Sequence, residues 1–105
     1  MDQSEIKISI NLDENKIPEK MEWFASDANQ GGVTDAVLLS IWDKKELNTM
    51  RIDLWTKDMQ VDAMKQFIFQ HVMTLADTLE RATSESEMAN DMRDFGNYFK
   101  DRMKV

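Results

Sequence analysis

The sequence predicts an α+β fold, a four-stranded antiparallel sheet made of two hairpins with two C-terminal helices packed on one of its faces. Two observations predict it. Apolar residues alternate in several segments before Trp55 and recur at every third or fourth position beyond it, the periods of strands and then of helices. A chain of 105 residues that is 42% hydrophobic and 31% charged also has material for one packed interior rather than two. Strands followed by helices, rather than alternating with them, place the helices together against an antiparallel sheet. The expected organisation is one domain over residues 1–105, with the sheet in 5–55 and the helical pair in 58–103.

The first strand runs from Glu5 to Leu12, where Ile6, Ile8, Ile10 and Leu12 alternate with Glu5, Lys7, Ser9 and Asn11. Asp13-Glu14-Asn15-Lys16 supplies a turn, and Ile17, Met21 and Trp23 alternate with Pro18, Lys20 and Glu22 in a second strand. Pro18 has no backbone donor, so it belongs at the start or edge of that strand. Ser26 to Gly32 reads as the clearest loop, because its adjacent glycines lack periodic apolar neighbours. Val37 to Trp42 is nearly continuously apolar and suggests a strand with both faces buried, at the middle of a sheet or at an interface. Asp43 to Asn48 reverses the chain, and Met50, Ile52 and Leu54 alternate with Arg51, Asp53 and Trp55 in the fourth strand.

The first helix carries Val61, Met64, Ile68, Val72, Leu75 and Leu79 as one apolar stripe, with Asp58 or Thr56 as its cap. Ser84 with Glu87 three places on has the spacing of a capping box for a second helix. That helix bears Met88, Met92, Phe95, Phe99 and Met103, with Gly96 beside the stripe for close packing on the first helix. Of the nine methionines, Met64, Met88, Met92 and Met103 sit at core spacing, which leaves Met21, Met59 and Met73 as candidates for a soft, adaptable surface.

Composition and motifs exclude more than they assign. Thirteen basic against twenty acidic residues give a net charge of -7, the wrong sign for neutralising nucleic-acid phosphates. There is no cysteine, hence no disulfide and no thiolate metal site. The opening Met1 to Glu5 lacks the basic start of a signal peptide, and no apolar run approaches the roughly 20 residues that span a bilayer. A cytoplasmic protein without direct membrane insertion is the expectation. Asp27, Asn29 and Gly32 begin like a calcium loop, but Gly31 and Leu38 stand where an EF-hand requires oxygen ligands. Gly31-Gly32 is followed by Val33-Thr34 and is no phosphate loop. His71 is the one histidine and has no assignable nucleophile or orienting carboxylate. No residue is assigned to catalysis, a cofactor or a metal.

Strand parity picks out a surface instead. If Ile6, Ile8, Ile10, Val37, Leu39, Ile41, Met50, Ile52 and Leu54 face the helices, then Leu38, Trp42 and Trp55 face the opposite way, together with Phe24 or its neighbour Trp23. Phe24, Leu38, Trp42 and Trp55 are thus the candidate apolar interaction patch, flanked by Arg51 and Asp53 as polar positions that set register. The competing expectation is that the loop from Ala25 to Asp35 covers these rings. Residues 1–55 carry 6 basic and 11 acidic side chains, a net of -5, so most of the acidic excess lies on the sheet half and a partner with a basic rim fits it.

The segment from Thr49 to Met59, TMRIDLWTKDM, continuing through Val61-Asp62 and Met64-Lys65 to Met73-Thr-Leu-Ala-Asp77 and Thr78-Leu-Glu-Arg-Ala-Thr83, resembles the gliding-motility protein GldC family. Glu5-Ile-Lys-Ile and Leu12 to Lys20 are similar to it as well, so the resemblance covers nearly the whole chain. It implies a small cytoplasmic accessory of a bacterial gliding apparatus, with no catalytic or ligand residues to carry over. Three readings fit. The first is a non-catalytic interaction or scaffold module that docks a subunit of the gliding machinery, or a second copy in a homodimer or higher oligomer, through the aromatic sheet face. The second is a holdase, since four strands followed by two helices is the element order of the SecB export chaperone, an analogy of fold alone. The third is an enzyme or small-ligand carrier with His71 at the wall of a pocket between sheet and helices.

Overall fold

A computed structural model describes residues 2–105; Met1, the first residue of the opening stretch read above, lies outside them. The chain divides into two units, Met1–Met59 and Gln60–Val105. The first contains β1 (Ile6–Leu12), β2 (Pro18–Ala25), β3 (Gln30–Thr34), β4 (Ala36–Asp43) and β5 (Asn48–Trp55), and the second contains α1 (Val61–Thr83) and α2 (Ser86–Met103). The α+β class and the antiparallel pairing agree with expectation. The single four-stranded sheet does not: there are five strands in two sheets, β1-β2-β3 and β4-β5.

Two features account for the difference. Ser26 to Gly32 is not one loop. Only Ser26 to Asn29 turn, closed by the Asn29 N–H donating to the Ser26 carbonyl at 3.2 Å, and Gln30 to Thr34 returns along β2 with Gly31 opposite Phe24 and Gly32 opposite Trp23. The glycines serve close approach there. A Cβ on Gly31 would run into the backbone carbonyl oxygen of Trp23 and lie 3.2 Å from Phe24 Cα. The second feature is Asp35, the lone residue between β3 and β4. Its carbonyl accepts the N–H of buried Thr56 at 2.8 Å and its carboxylate the Thr56 hydroxyl at 3.3 Å, while the Thr34 hydroxyl donates to the Ala36 carbonyl at 2.9 Å. The strand turns a corner on these bonds and leaves one sheet for another.

The turns follow their side chains. Asp13 Oδ1 accepts the N–H groups of Asn15 (2.8 Å) and Ile17 (3.0 Å), with Lys16 in the left-handed region at φ 65°. These bonds, led by the one from Ile17 and supplemented by Lys57 Nζ at 3.1 Å, hold the Asp13 carboxyl below its ordinary range against a partial loss of hydration. Asp43 Oδ1 accepts from Lys45 and Glu46, both at 2.9 Å, before Leu47 closes the β4–β5 turn at φ 56°.

Parity sorts the sheet faces. Ile6, Ile8 and Ile10 pair with Ala25, Trp23 and Met21, so all six share one face of the three-stranded sheet. Val37, Leu39 and Ile41 pair with Leu54, Ile52 and Met50. Ile6, Ile8, Ile10, Val37, Leu39, Ile52 and Leu54 line one groove of about 290 Å³, which brings the apolar faces of the two sheets toward each other. Met21 is wholly buried and Met59 and Met73 are half-buried, whereas Met50 and, against their core spacing, Met88 and Met103 are exposed.

In the helical unit, Ser84 is not an N-cap. It ends α1 in the left-handed region at φ 61°, its N–H donating to the Glu80 carbonyl at 2.9 Å, and α2 starts two residues later. The start of α1 also differs from expectation, with Gln60 rather than Asp58 or Thr56 at the cap position. Ala76, Ala89 and Gly96 are the fully buried residues of these helices, and a Cβ on Gly96 would meet Met73 Sδ. Arg93 reaches from α2 to Asp77 (2.8 Å) and Glu80 (2.7 Å) on α1, and holds the Glu80 carboxyl below its ordinary range.

Candidate interaction surface

The β4–β5 hairpin positions five of the six candidate residues. Leu38 pairs with Asp53, Ser40 with Arg51, Trp42 with Thr49 and Ala36 with Trp55, so Leu38, Trp42, Arg51, Asp53 and Trp55 share the face opposite Val37, Leu39 and Ile41. β4 is not at the middle of a sheet, one of the two places its apolar run suggests, but in a sheet of two strands. Trp42 is 63% exposed and Trp55 55% exposed, and Leu38 is half-buried between them along the face. A two-stranded sheet has two edges and no covering neighbours in its own plane, which is why an apolar run of strand length remains accessible here.

Register also fixes the spacing. Trp55 stands opposite Ala36, and Trp42 lies six residues along β4 from it, about 20 Å at the rise of an antiparallel strand. The tryptophans therefore flank the face rather than stack on each other. Between them, Arg51 Nη2 donates to Asp53 Oδ2 at 3.0 Å, an exposed ion pair. Beside Trp55 a shallow groove of about 270 Å³ is lined by Ile17, Pro18, Asp53, Leu54 and Trp55. The β1–β2 turn thus adds Ile17 and Pro18 to this end of the surface, two residues that parity alone does not bring there.

Phe24 belongs elsewhere. It lies on β2 in the three-stranded sheet, on the face opposite Trp23, 45% exposed, with its ring Cδ2 3.2 Å from where a Gly31 Cβ would sit. That ring covers glycine backbone, which gives it a structural role in the β2–β3 pair. Residues 30–34 of the segment expected to cover the rings are β3 and pair with β2. His71 is exposed on α1 and is not among the residues lining the groove between the helices. Among the described residues, no group of three or more His, Asp or Glu side chains is placed to hold a metal ion, and no helix is long and apolar enough to cross a membrane.

The outer face of the hairpin thus carries two exposed indoles at separate points, with a leucine and an ion pair between them. A family model described as gliding motility-associated protein GldC-like matches residues 18–105, from β2 through α2. No curated protein and no solved structure matches the chain.

Proposed function

The chain belongs to the GldC-like family of gliding motility-associated proteins, and from that membership we propose that it is a non-catalytic cytoplasmic accessory that docks a protein subunit of the gliding machinery through the outer face of β4–β5. The observation that carries this reading is the pair of tryptophans, 63% and 55% exposed, on one face of a two-stranded sheet. Covering what they expose removes about 250 Å² of apolar surface, about 6 kcal/mol before the costs of ordering and association are subtracted. Leu38 fills the surface between the anchors, and Arg51 and Asp53 fix the direction in which a partner lies across the strands. The net charge of -5 on residues 1–55 favours a partner whose contact is rimmed by lysine and arginine.

The test begins with capture from gliding cells, using the wild-type chain and the Trp42→Ala/Trp55→Ala double variant as baits. A subunit retained by the first and lost by the second is then purified and titrated against both. Trp42→Ala alone should weaken binding by about 2 kcal/mol, roughly thirtyfold, and binding should also weaken as salt is raised. An unchanged affinity for the double variant refutes the choice of face, and affinity that rises with salt refutes the basic rim.

A further inference from the structure

We propose that the α1–α2 hairpin packs on the same hairpin of a second copy, so that two chains form one antiparallel four-helix bundle. The helices meet through small residues, Ala76, Ala89 and Gly96, which brings their axes close and leaves the large apolar side chains beside the seam. The two sides of that seam differ in chemistry. One is closed by Arg93 on Asp77 and Glu80, and by Lys100 Nζ 5.8 Å above the Phe69 ring. The other is an open groove of about 370 Å³ lined by Val72, Leu75, Met88, Asp91, Met92 and Phe95, with Asp91 its one charged residue.

A second copy fits this groove by shape and by area. Leu75 is 49% exposed, Met88 55%, Phe95 54% and the neighbouring Tyr98 61%, so the same face carries both a furrow and the ridges to fill one. A self-complementary face is what a two-fold dimer requires. At about 100 Å² for each half-exposed large side chain, these four with Val72 and Met92 offer about 500 Å² per chain, or about 1,000 Å² for the pair. That reaches the lower bound of about 1,000 Å² for specific association, the size class of weak, reversible contacts. The two-residue connection Ser84–Glu85 makes each chain one antiparallel half of the bundle. Each copy carries a net charge of -7, so the dimer tightens as salt screens the repulsion, the reverse of the salt response expected for a basic partner.

The experiment is sedimentation equilibrium of the full chain up to about 500 μM, at roughly 50 and 500 mM salt. The expected result is a monomer–dimer equilibrium that tightens with salt, and whose dissociation constant rises at least ~10-fold in Leu75→Glu and in Phe95→Glu, with helicity checked by circular dichroism. Trp42→Ala/Trp55→Ala should dimerise as the wild type does, which separates failure of this proposal from failure of the sheet-face reading. If the acidic variants unfold, a spin label on Asp91→Cys, in a chain free of other cysteines, reads the bundle directly: helices 8–10 Å apart put the two labels within about 25 Å. A monomer at the highest concentration overturns the proposal, as does a dimer indifferent to both acidic variants or one whose labels lie beyond about 40 Å. A groove that serves another protein instead would show itself as that monomer.

Discussion

Adjacent glycines at 31 and 32 should respond in opposite directions to the same substitution. Neither has positive φ, so alanine is conformationally allowed at both and the outcome depends on space. At Gly32 the added Cβ meets only Trp23 Nε1 at 3.6 Å, an ordinary contact. Gly32→Ala then stabilises by about 0.4–1 kcal/mol, because the unfolded chain loses freedom it no longer has to give up. At Gly31 the Cβ meets the Trp23 carbonyl oxygen and Phe24 Cα, backbone atoms that cannot swing aside as a side-chain tip can. Overpacking of that kind costs about 3 kcal/mol at the upper end of its usual range, against which the glycine-to-alanine gain offsets only about 0.5–1 kcal/mol. Gly31→Ala therefore destabilises by about 2 kcal/mol, and the two variants differ by about 3 kcal/mol. Urea unfolding followed by tryptophan fluorescence should place their midpoints about 1 M or more apart, on opposite sides of the wild type. Midpoints that move together, or a Gly31→Ala variant more stable than the parent, would refute the close β2–β3 approach.

Leu47 is 68% exposed and sits at φ 56°, where a side chain costs about 1–2 kcal/mol. Leu47→Gly should raise the thermal midpoint by a few degrees, corresponding to a net gain of about 0.5 kcal/mol after glycine's entropy is subtracted; a lower midpoint counts against the turn geometry. Asp13→Asn keeps an acceptor for the turn but removes the charge. Because the folded carboxyl titrates below its ordinary 3.8, its stabilising effect is complete above that value and disappears as pH falls through the folded pKa. The stability gap between parent and variant at pH 7 should accordingly close in acid, as read from urea midpoints; a constant gap would mean the carboxylate is not held by its bonds. His71→Ala should leave gliding unchanged, and a loss of motility with the fold intact would revive the reading of His71 as a functional group.

Much of the fold is legible in side-chain period, and what is not has a physical cause. β1, β2, β5 and both helical stripes announce themselves because their apolar residues repeat. β3 does not, since Gly31 and Gly32 have no side chains with which to mark an alternation, and Val33 alone is too little. The division into two sheets rests on bonds between Asp35 and Thr56, 21 residues apart, which no local pattern contains. Ser84 misleads for another reason: a serine three places before a glutamate has capping-box spacing, but a two-residue connection also makes it the left-handed end of α1. In the candidate surface, parity alone places Leu38, Trp42, Arg51, Asp53 and Trp55 on one face. Their spacing needs the register of β4 on β5, and the separation of Phe24 from them needs the knowledge that β2 belongs to the other sheet.

The corner at Asp35 also restricts where the chain can change length. Loops such as Ser26–Asn29 and Lys44–Leu47 absorb an added residue at their tips. Between Thr34 and Ala36 there is no slack, and strand faces alternate with a period of two. One residue gained or lost there inverts β4 against everything before it, exchanging the outward set of Leu38 and Trp42 for Val37, Leu39 and Ile41. Asp35 is thus a counting device: a single-residue insertion beside it should expose the set of β4 side chains that now faces the other sheet.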